Sequence, residues 1–427
     1  MDLVSTSNSD LHANFATAVE QSLPIDGGLW TPNQLEPLPN IDQVISLPWL
    51  QRCAAILTHL LGDEMAASEI EALVNQAFDL ELPLVEIAPQ RFVLELFHGP
   101  SLAFKDFGAR FLAALLARPS ADPRPRTVLT ATSGDTGAAV AQALWRQPHV
   151  RALILYPNGR VSPSQEQQLA ALGDNIAAFA IDGTFDDCQA LAKACFADQA
   201  LAQQLRLISA NSIHIARLLA QILYYFEINA QLRKRGIVTP PVIAVPSGNF
   251  GNLCAGLFAQ RLGLPVHAFV AATNANSTVA DFLAGAAYLP RPSVATLSNA
   301  MDVGAPSNWA RIVHLFQHDL SNMRRAIRSG FASDQETKSE ILRLHALGYL
   351  ADPHTAVASA VLERHIQSGE VGVVLATAHP AKFTEVLRPL VGEIALPPVL
   401  LEVAKRPLQR EILPNNLAVV KNRLLSV

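Results

Sequence analysis

Apolar residues follow two different patterns along the chain, and the change between them falls near residue 90. Before it, LPWLQRCAAILTHLLG and IEALVNQAFDL carry apolar residues three and four positions apart, which predicts helices. After it, short continuous apolar runs alternate with loops of small residues and helical patterns, which is typical of α/β layering. We therefore predict a mainly helical N-terminal region over residues 1–90 and two α/β lobes, residues 91–210 and 211–427.

Three strand–loop–helix units stand out within these lobes. TVLTA leads through TSGDTG into AAVAQALW, VIAVP through SGNFG into NLCAGLFAQRL, and VGVVLA through TAHPA into KFTEVLRPL. The runs VRALILYP, NIAAFAID and HAFVAATN are further candidates for buried strands. In an open parallel sheet, the carboxyl ends of the strands face a crevice, and the helices that follow point free N–H groups at it. The three loops are therefore expected to bind an anionic ligand together.

Composition narrows the class of ligand. The chain has 427 residues, half of them apolar and 16% charged, with a net charge of -5, which favours a globular enzyme with more than one core. No cluster of Lys and Arg predicts a nucleic-acid or membrane partner, and the apolar runs are too short to span a bilayer. We expect a small-molecule substrate.

The cysteines and the N-terminus bear on the compartment. Four cysteines without a C-x-x-C pair predict neither a disulfide framework nor a zinc site. MDLVSTSNSDLHANF has no basic region followed by an apolar run, so no secretory signal is expected. Together these features favour a reducing compartment, and we predict a cytoplasmic protein.

Two loops are candidates for anion binding. The glycines of SGNFG allow the backbone to approach a phosphate, whereas the Lys-Ser/Thr of a nucleotide-binding P-loop and the G-x-G-x-x-G fingerprint are both missing. TSGDTG adds hydroxyl and amide groups suited to a carboxylate, and Asp135 can hydrogen-bond a phenolic oxygen. Either loop alone is more often a plain turn, but the pair indicates a ligand with two anionic groups.

Lys105 is the candidate nucleophile. It stands between Phe104 and Phe107 at the predicted start of the helix DFGARFLAALLA, where desolvation would lower the pKa of its amine. In isolation a surface lysine is the simpler interpretation, but a cation at a helix start opposes the helix dipole. His98 and His379 fall in loops near the same crevice and could carry protons. No H-x-x-x-H pattern predicts a metal site, and no G-x-S-x-G elbow predicts a serine hydrolase.

The combination of HGPSLAFKDFG, TATSGDTG, VPSGNFGN, SNAMDV, DPHTAVA and LATAHPAKF resembles the threonine synthases of the bacterial and fungal type, pyridoxal-phosphate enzymes of fold type II. The resemblance covers nearly the whole chain, from DGGLWTP onwards. It implies an α/β fold with two open twisted sheets flanked by helices, similar to the tryptophan synthase β fold. It also implies pyridoxal 5'-phosphate as cofactor and a carbon–oxygen lyase that converts O-phospho-L-homoserine and water into L-threonine and phosphate.

The resemblance assigns roles to individual residues. Lys105 would form the Schiff base with the cofactor and shuttle protons, Thr377 would face the pyridine nitrogen, and Asp135 would face the cofactor's 3-oxygen. The cofactor phosphate would be bound by Ser247, Gly248, Asn249, Phe250 and Gly251. The substrate carboxylate would be bound by Ser133, Gly134 and Thr136. Candidates for the substrate phosphate are Arg160, Ser162, Asn211, Ser212 and Arg217.

One segment departs from the family pattern. YPNGRVSPSQEQQ has Gln167 where a lysine is often found in the form YPxGKxSPxQEK, so fewer cations are available for the substrate phosphate. A related β-replacement or deaminating enzyme, such as a threonine dehydratase, would need no second phosphate pocket and is therefore an alternative. A catalytically inactive relative that binds a phosphorylated metabolite is another, although the presence of Lys105, Asp135 and Thr377 argues against it. The oligomeric state is left open.

Overall fold

The structure, a computed structural model, describes residues 1–120, 122–132 and 134–426. Its strands are Asp2–Ser5 (β1), His12–Asn14 (β2), Trp30–Pro32 (β3), Leu84–Ala88 (β4), Arg91–Glu95 (β5), Arg126–Ala131 (β6), Val150–Pro157 (β7), Ile176–Asp182 (β8), Leu207–Ser209 (β9), Val242–Pro246 (β10), Ala268–Thr273 (β11), Ile327–Phe331 (β12), Gly372–Ala376 (β13) and Arg410–Pro414 (β14).

The α-helices are Phe15–Gln21 (α1), Ile41–Ser46 (α2), Trp49–Leu61 (α3), Ala67–Ala77 (α4), Lys105–Leu116 (α5), Asp135–Leu144 (α6), Pro163–Ala170 (α7), Phe185–Ala197 (α8), Gln199–Leu205 (α9), Ile215–Lys234 (α10), Gly251–Arg261 (α11), Thr278–Ala284 (α12), Trp309–Leu315 (α13), Leu320–Ala326 (α14), Asp334–Ala346 (α15), Pro353–His365 (α16), Thr384–Val391 (α17), Pro398–Ala404 (α18) and Leu417–Leu425 (α19). Two short 3₁₀ helices are Asn299–Met301 and Pro380–Phe383.

Two sheets form the body. The larger has the order β12-β11-β10-β13-β5-β4 and is parallel except for the β4–β5 pair. The smaller has the order β14-β8-β7-β6-β9 and is parallel throughout. Strands β6, β10, β11 and β13 are buried along their whole length, which explains why they are continuous apolar runs in the sequence. The predicted strands and the α/β layering are confirmed.

The N-terminal region contains helices α1 to α4 and also a sheet that the sequence pattern did not reveal. Strands β2, β1 and β3 pair antiparallel in that order. These strands have three or four residues each, which is too short for an alternating pattern to be recognised. The sheet, like the short helices α1 and α2, is therefore an addition to the predicted helices α3 and α4.

The two sheets draw strands from both sides of the predicted lobe boundaries. β4 and β5 belong to the larger sheet although they precede β6, and β14 belongs to the smaller sheet although it lies near the C-terminus. The division into residues 1–90, 91–210 and 211–427 stays a prediction. The sheets are nevertheless formed by segments that are distant in sequence.

Helix α10 is the central support of the fold. It is buried along most of its length and packs against α5 and α11. Tyr224 and Tyr225 on this helix donate hydrogen bonds to Asn252 Oδ1 at 2.6 and 2.7 Å, which anchors the first turn of α11. In the part of the chain that the structure describes, no helix is long and apolar enough to cross a bilayer.

Candidate active site

A cleft with a cavity volume of about 150 Å³ opens where β6, β10 and β13 end. The first residues of α5, α6 and α11 line it, together with residues of α10 and the segment that follows β13. The three loops predicted to bind an anionic ligand together therefore contribute to one cavity. This is the arrangement expected at the carboxyl edge of a parallel sheet.

Lys105 begins α5 and points into this cleft. Its Nζ lies 3.6 Å from Asp135 Oδ2 and 5.3 Å from the centre of the Phe104 ring. Burial lowers the pKa of the amine below its ordinary value, and the charges of Lys382 and Arg217 lower it further, although Asp135 opposes them. The predicted desolvation of Lys105 is thus present, but Phe107 contributes to the core with Tyr224 rather than to the cleft.

Asp135 is a buried carboxylate shared by two lysines. Its Oδ1 lies 2.8 Å from Lys382 Nζ and accepts a hydrogen bond from Gln165 Nε2 at 3.2 Å, while Oδ2 faces Lys105. Burial raises the pKa of this carboxyl, but Lys382 and Lys105 outweigh burial and bring the pKa far below its ordinary value. Asp135 therefore stands in the cleft as an anion.

The side chain of Thr132 holds the backbone on both sides of Asp135. Thr132 Oγ1 accepts hydrogen bonds from the N–H groups of Gly134 and Gly137 at 3.0 and 2.9 Å. Gly134 has a φ of +143°, and a Cβ there would lie 2.5 Å from the side chain of Gln165, so both conformation and space require glycine. Thr136 lines the cleft, whereas Ser133 lies outside the described residues.

The SGNFG loop, residues 247–251, connects β10 to α11 and lines the cleft through Gly248 to Gly251. Asn249 donates a hydrogen bond from Nδ2 to Ser212 Oγ at 2.7 Å, and Phe250 stacks edge-on against Trp309. A Cβ on Gly248 would lie 2.7 Å from Met301 Cα, so this glycine is needed for close backbone packing. The loop is held by neutral contacts, and its helix N-terminus is directed at the cavity.

Thr377 reaches the cleft because its segment pairs with the residues before Lys105. Phe104 N–H donates to the Thr377 carbonyl at 2.9 Å, and Ala103 and Ala378 form an antiparallel bridge. Thr377 is buried and lies among the cleft residues. Two of the predicted cofactor-binding residues, distant in sequence, are joined by this short backbone pairing.

The candidates for the substrate phosphate divide into two groups. Ser212 and Arg217 line the cleft, and Asn211 lies next to Ser212 and accepts a hydrogen bond from Thr130 Oγ1 at 3.1 Å. Arg217 is 1% exposed, and its Nε has no hydrogen-bond partner within the described residues. Burial lowers the pKa of Arg217 to about 10, so the guanidinium remains charged at neutral pH.

The structure does not bring the other two phosphate candidates into the cleft. Arg160 is exposed, and its charge contributes to lowering the pKa of Asp187. Ser162 caps α7, where its Oγ accepts a hydrogen bond from Gln165 N–H at 3.2 Å. Ser162 thus supports Gln165, which contacts Asp135, while both assignments to the substrate phosphate stay predictions.

Neither predicted proton carrier lines the cleft. His98 Nε2 lies 2.7 Å from Glu95 Oε2, and His379 Nδ1 accepts a hydrogen bond from Ala381 N–H at 3.1 Å. His354 is found there instead, within the quoted motif DPHTAVA. It accepts a hydrogen bond from Ala300 N–H at Nε2, so its Nδ1 carries the proton that it donates to Asp352. His354 therefore supports the segment whose Met301 packs against Gly248.

Lys382 is the other residue that the sequence did not single out. It belongs to the quoted motif LATAHPAKF, its side chain is 0% exposed, and it contacts Asp135 as described above. A lysine in an otherwise apolar segment was the available signal. Its partner could not be deduced, because the contact joins two segments that are far apart in sequence.

The donor set of the cleft fits pyridoxal phosphate. It combines a buried amine of lowered pKa at Lys105, a neutral hydroxyl at Thr377 and the start of α11 behind the SGNFG loop. Arg217 Nε and Asn252 Nδ2, both on cleft-lining residues, have no hydrogen-bond partner in the described chain. Among the described residues no group of His, Cys, Asp and Glu could hold a metal ion.

Comparison with known proteins identifies the family. Residues 85–377 match a family model described as pyridoxal-phosphate dependent enzyme, and residues 355–423 match a model of the threonine synthase C-terminal region. The threonine synthase of Escherichia coli (strain K12) is 46% identical over 431 residues, with 100% of both chains covered.

Solved structures give the same result. The crystal structure of threonine synthase from Escherichia coli matches with a TM-score of 0.93 and 45% identity over 100% of both chains. The pyridoxal-phosphate-bound threonine synthase from Brucella melitensis matches with a TM-score of 0.93 and 34% identity, over 99% of this chain and 98% of that one. The predicted fold class, cofactor and enzyme function are confirmed. The chain belongs to the threonine synthase family of pyridoxal-phosphate-dependent enzymes.

Proposed function

We propose that this chain removes phosphate from O-phospho-L-homoserine and adds water at the β-carbon, which gives L-threonine and phosphate. One observation carries the proposal: Lys105, Asp135, the SGNFG loop and Thr377 come from four separate segments and line a single cleft. Each has the chemistry that this reaction needs at its position. A small-molecule amino acid with a second anionic group fits the cavity and its buried arginine.

Four features would hold the cofactor. The Lys105 amine would bind it covalently, and the N–H groups at the start of α11 would bind its phosphate. The Thr377 hydroxyl would face the ring nitrogen, and the ionised Asp135 would accept a hydrogen bond from the 3-hydroxyl. When bound, the cofactor withdraws electrons from the carbon that carries the substrate amine and makes protons on neighbouring carbons acidic.

Lys105 would move the protons. Once displaced from the cofactor, Lys105 would be an amine in the cleft, and burial lowers its pKa below the ordinary value, which favours the neutral form that accepts protons. Protons leave the α- and β-carbons, the bond between the γ-carbon and the phosphate oxygen breaks, and protons return to the γ- and α-carbons. Water supplies the β-hydroxyl, and its remaining proton balances the released phosphate.

Two groups of residues would hold the ends of the substrate. Ser133, Gly134 and Thr136, around the start of α6, would bind the substrate carboxylate. Arg217 is the principal candidate for the substrate phosphate, because it is a buried cation that lines the cleft and its Nε has no hydrogen-bond partner among the described residues; Ser212 lines the same cleft, and Asn211 precedes it in the chain. Arg160 and Ser162 would contribute only if the segment before α7 approached the cleft.

We also propose a cytoplasmic location. Cys53, Cys188, Cys195 and Cys254 are free and buried, which supports a reducing environment.

The decisive experiment is a substrate comparison with the purified protein and pyridoxal phosphate. We expect O-phospho-L-homoserine to yield equal amounts of threonine and inorganic phosphate. Threonine and serine, assayed separately for ketoacid, serve as controls for a dehydratase. Release of ketoacid from threonine without turnover of phosphohomoserine would refute the proposal. An Arg217→Lys variant should raise the KM for phosphohomoserine, since an ammonium cannot replace the guanidinium fork.

A further inference from the structure

Lys382 is a fully buried lysine next to the proposed reaction centre. Its Nζ lies 2.8 Å from Asp135 Oδ1 and donates a hydrogen bond to the Ser101 carbonyl at 2.7 Å. A buried charge is costly unless it is paired and hydrogen-bonded. Lys382 meets both conditions, and it joins three segments: the residues before α5, the start of α6 and the 3₁₀ helix after β13.

Lys382 and Lys105 both lie near the Asp135 carboxylate, and their distances decide which of them is its main counter-ion. Lys382 is closer to this carboxylate, at 2.8 Å, than Lys105, at 3.6 Å. With Lys105 as its only cation, the carboxylate would hold that amine in the charged form. A protonated amine has no lone pair, so it can neither bind the cofactor aldehyde nor accept a proton.

The charged residues around Lys105 include some that lower the pKa of its amine and one that raises it. Arg217 on α10 disfavours a charged Lys105, as does Lys382 after β13, while Asp135 on α6 favours it. Asp106, the next residue on α5, is buried, and its Oδ2 accepts a hydrogen bond from Ser101 N–H at 2.9 Å. His354 on α16 accepts a hydrogen bond from Ala300 N–H at Nε2, and its effect in lowering the pKa of Asp135 ranks behind those of Lys382 and Lys105. Lys382 is therefore the cation that contacts Asp135 most closely.

We propose that Lys382 is the permanent counter-ion of Asp135 and thereby keeps Lys105 as a neutral, reactive amine. The inference rests on the function proposed above, in which Lys105 binds the cofactor and moves protons. Lys382 acts through Asp135 and is a positioning residue. A purely structural tie between three segments would affect stability but would leave the pKa of Lys105 unchanged.

The test measures the reactivity of Lys105 directly. The full-length protein, freed of cofactor, is treated with cyanate over the titration range of lysine, and carbamylation of Lys105 is quantified by peptide mass spectrometry. In Lys382→Met the pKa of Lys105 should rise by about one unit, so its labelling at neutral pH should fall about tenfold. Lys382→Arg keeps the charge and should restore labelling to within about threefold of the unchanged protein.

A matched control is available elsewhere in the chain. Lys421 Nζ lies 2.8 Å from Asp198 Oδ2, a lysine–aspartate pair of the same length outside the cleft. Lys421→Met should leave the labelling of Lys105 unchanged. Equal labelling of Lys105 in Lys382→Met and Lys421→Met would overturn the proposal.

A double variant tests the pathway and covers the case in which Lys382→Met does not fold. Lys382→Met with Asp135→Asn removes both buried charges, so no unpaired ion remains. Relative to Asp135→Asn alone, the double variant should lose much less than tenfold in labelling. If Lys382→Met lowers the labelling of Lys105 as much in Asp135→Asn as it does in the unchanged protein, Lys382 does not act through the carboxylate. The counter-ion assignment would then fail.

The cofactor absorbance of the holoenzyme provides a second measurement that does not depend on carbamylation. In Lys382→Met the pH midpoint of the cofactor's absorbance change should move upward, and in Lys382→Arg it should return. Carbamylation needs neither cofactor nor substrate, so its result stands apart from the substrate assay. Absence of threonine formation by the unchanged protein would refute the proposed function, whereas an unshifted Lys105 pKa in Lys382→Met would refute the role of Lys382 alone.

Discussion

The two loops that open onto the cleft have the same layout but opposite electrostatics. One, the acidic loop, comprises Thr132, Gly134 and Asp135 between β6 and α6; the other is the SGNFG loop between β10 and α11. Each follows a buried parallel strand and starts a helix, where backbone N–H groups attract anions. The acidic loop fills that position with its own buried carboxylate, whereas the SGNFG loop has no charged side chain.

This difference shows how similar loops take different parts in one site. The SGNFG loop leaves its helix N-terminus free for an external phosphate and is stabilised by neutral contacts from Asn249 and Phe250. The acidic loop already holds an anion, and Lys382, the counter-ion closest to Asp135, offsets its charge, so that a further anion can approach this helix N-terminus. The glycine-rich sequence alone therefore does not determine which anion a loop binds.

The largest effect is expected from removing the amine beside the acidic loop. Lys105→Ala should reduce threonine formation about 10⁴-fold or more, because the covalent and proton-transfer role is lost. The fold should survive, since Asp135 keeps Lys382 as its partner. Circular dichroism and the substrate assay check both statements, with Lys421→Ala as the control. Substantial turnover by Lys105→Ala would refute the covalent and proton-transfer role of Lys105.

Neutralising the acidic loop should have the next largest effect. Asp135→Asn leaves Lys382 buried without a counter-ion, and breaking a buried ion pair costs about 4 kcal/mol. The free energy of unfolding in urea should fall by that order. The double variant Lys382→Met with Asp135→Asn should recover part of the loss. Unchanged stability in Asp135→Asn would mean that the two loops do not differ electrostatically.

Asp106 tests whether burial alone explains the anion in the acidic loop. Asp106 is buried like Asp135, and in Asp106 this burial raises the pKa from 3.8 to about 6. The folded protein favours the protonated form, so this contribution to stability is present below the unfolded pKa and is lost as the pH rises through about 6.

The corresponding variant is Asp106→Asn, which is neutral at every pH. It should match the unchanged protein in acid and exceed its free energy of unfolding by up to about 3 kcal/mol above neutral pH, since one pKa unit corresponds to about 1.36 kcal/mol. Denaturant unfolding over this pH range measures the difference. A difference that does not depend on pH would show that the pKa of Asp106 is the same in the folded and the unfolded protein, and that burial does not separate the two carboxyls.

The smallest effect is expected in the SGNFG loop. Gly248→Ala places a Cβ 2.7 Å from the backbone of Met301, whereas Gly251→Ala places one 3.2 Å from the side-chain amide of Asn308. The first should raise the cofactor dissociation constant about tenfold, in line with the cost of overpacking, and the second about threefold or less. A titration followed by cofactor absorbance compares them. Equal affinities would indicate that close packing of this loop does not position the phosphate.

The sequence predicted those parts of the fold that depend on local patterns. Strands β6, β10 and β13 are buried on both faces and so are visible as continuous apolar runs, and each is followed by a loop and a helix. Lys105 and the SGNFG loop were identified in the same way. Strands of the N-terminal sheet were missed because three residues are too few to show a period.

Other features depend on contacts that no local pattern encodes. The pairing of Lys382 with Asp135, and of Phe104 with Thr377, joins residues from opposite parts of the chain. The position of His354 in the cleft depends on hydrogen bonds with Asp352 and with a backbone N–H from another segment. Residue types in the quoted motifs were informative, but their partners and charges follow from the tertiary fold.

The pairing of β14 with β8 has a consequence for how the protein is made. β8 is an apolar edge of the smaller sheet until β14, which ends at Pro414, covers it. At roughly 5–20 residues per second, about 230 further residues take on the order of 12 to 46 s to be synthesised after Asp182. During that interval an unpaired strand edge can join another chain. The C-terminal strand thus protects each newly made molecule from aggregation, and a truncated chain that ends before it would be prone to self-association during synthesis.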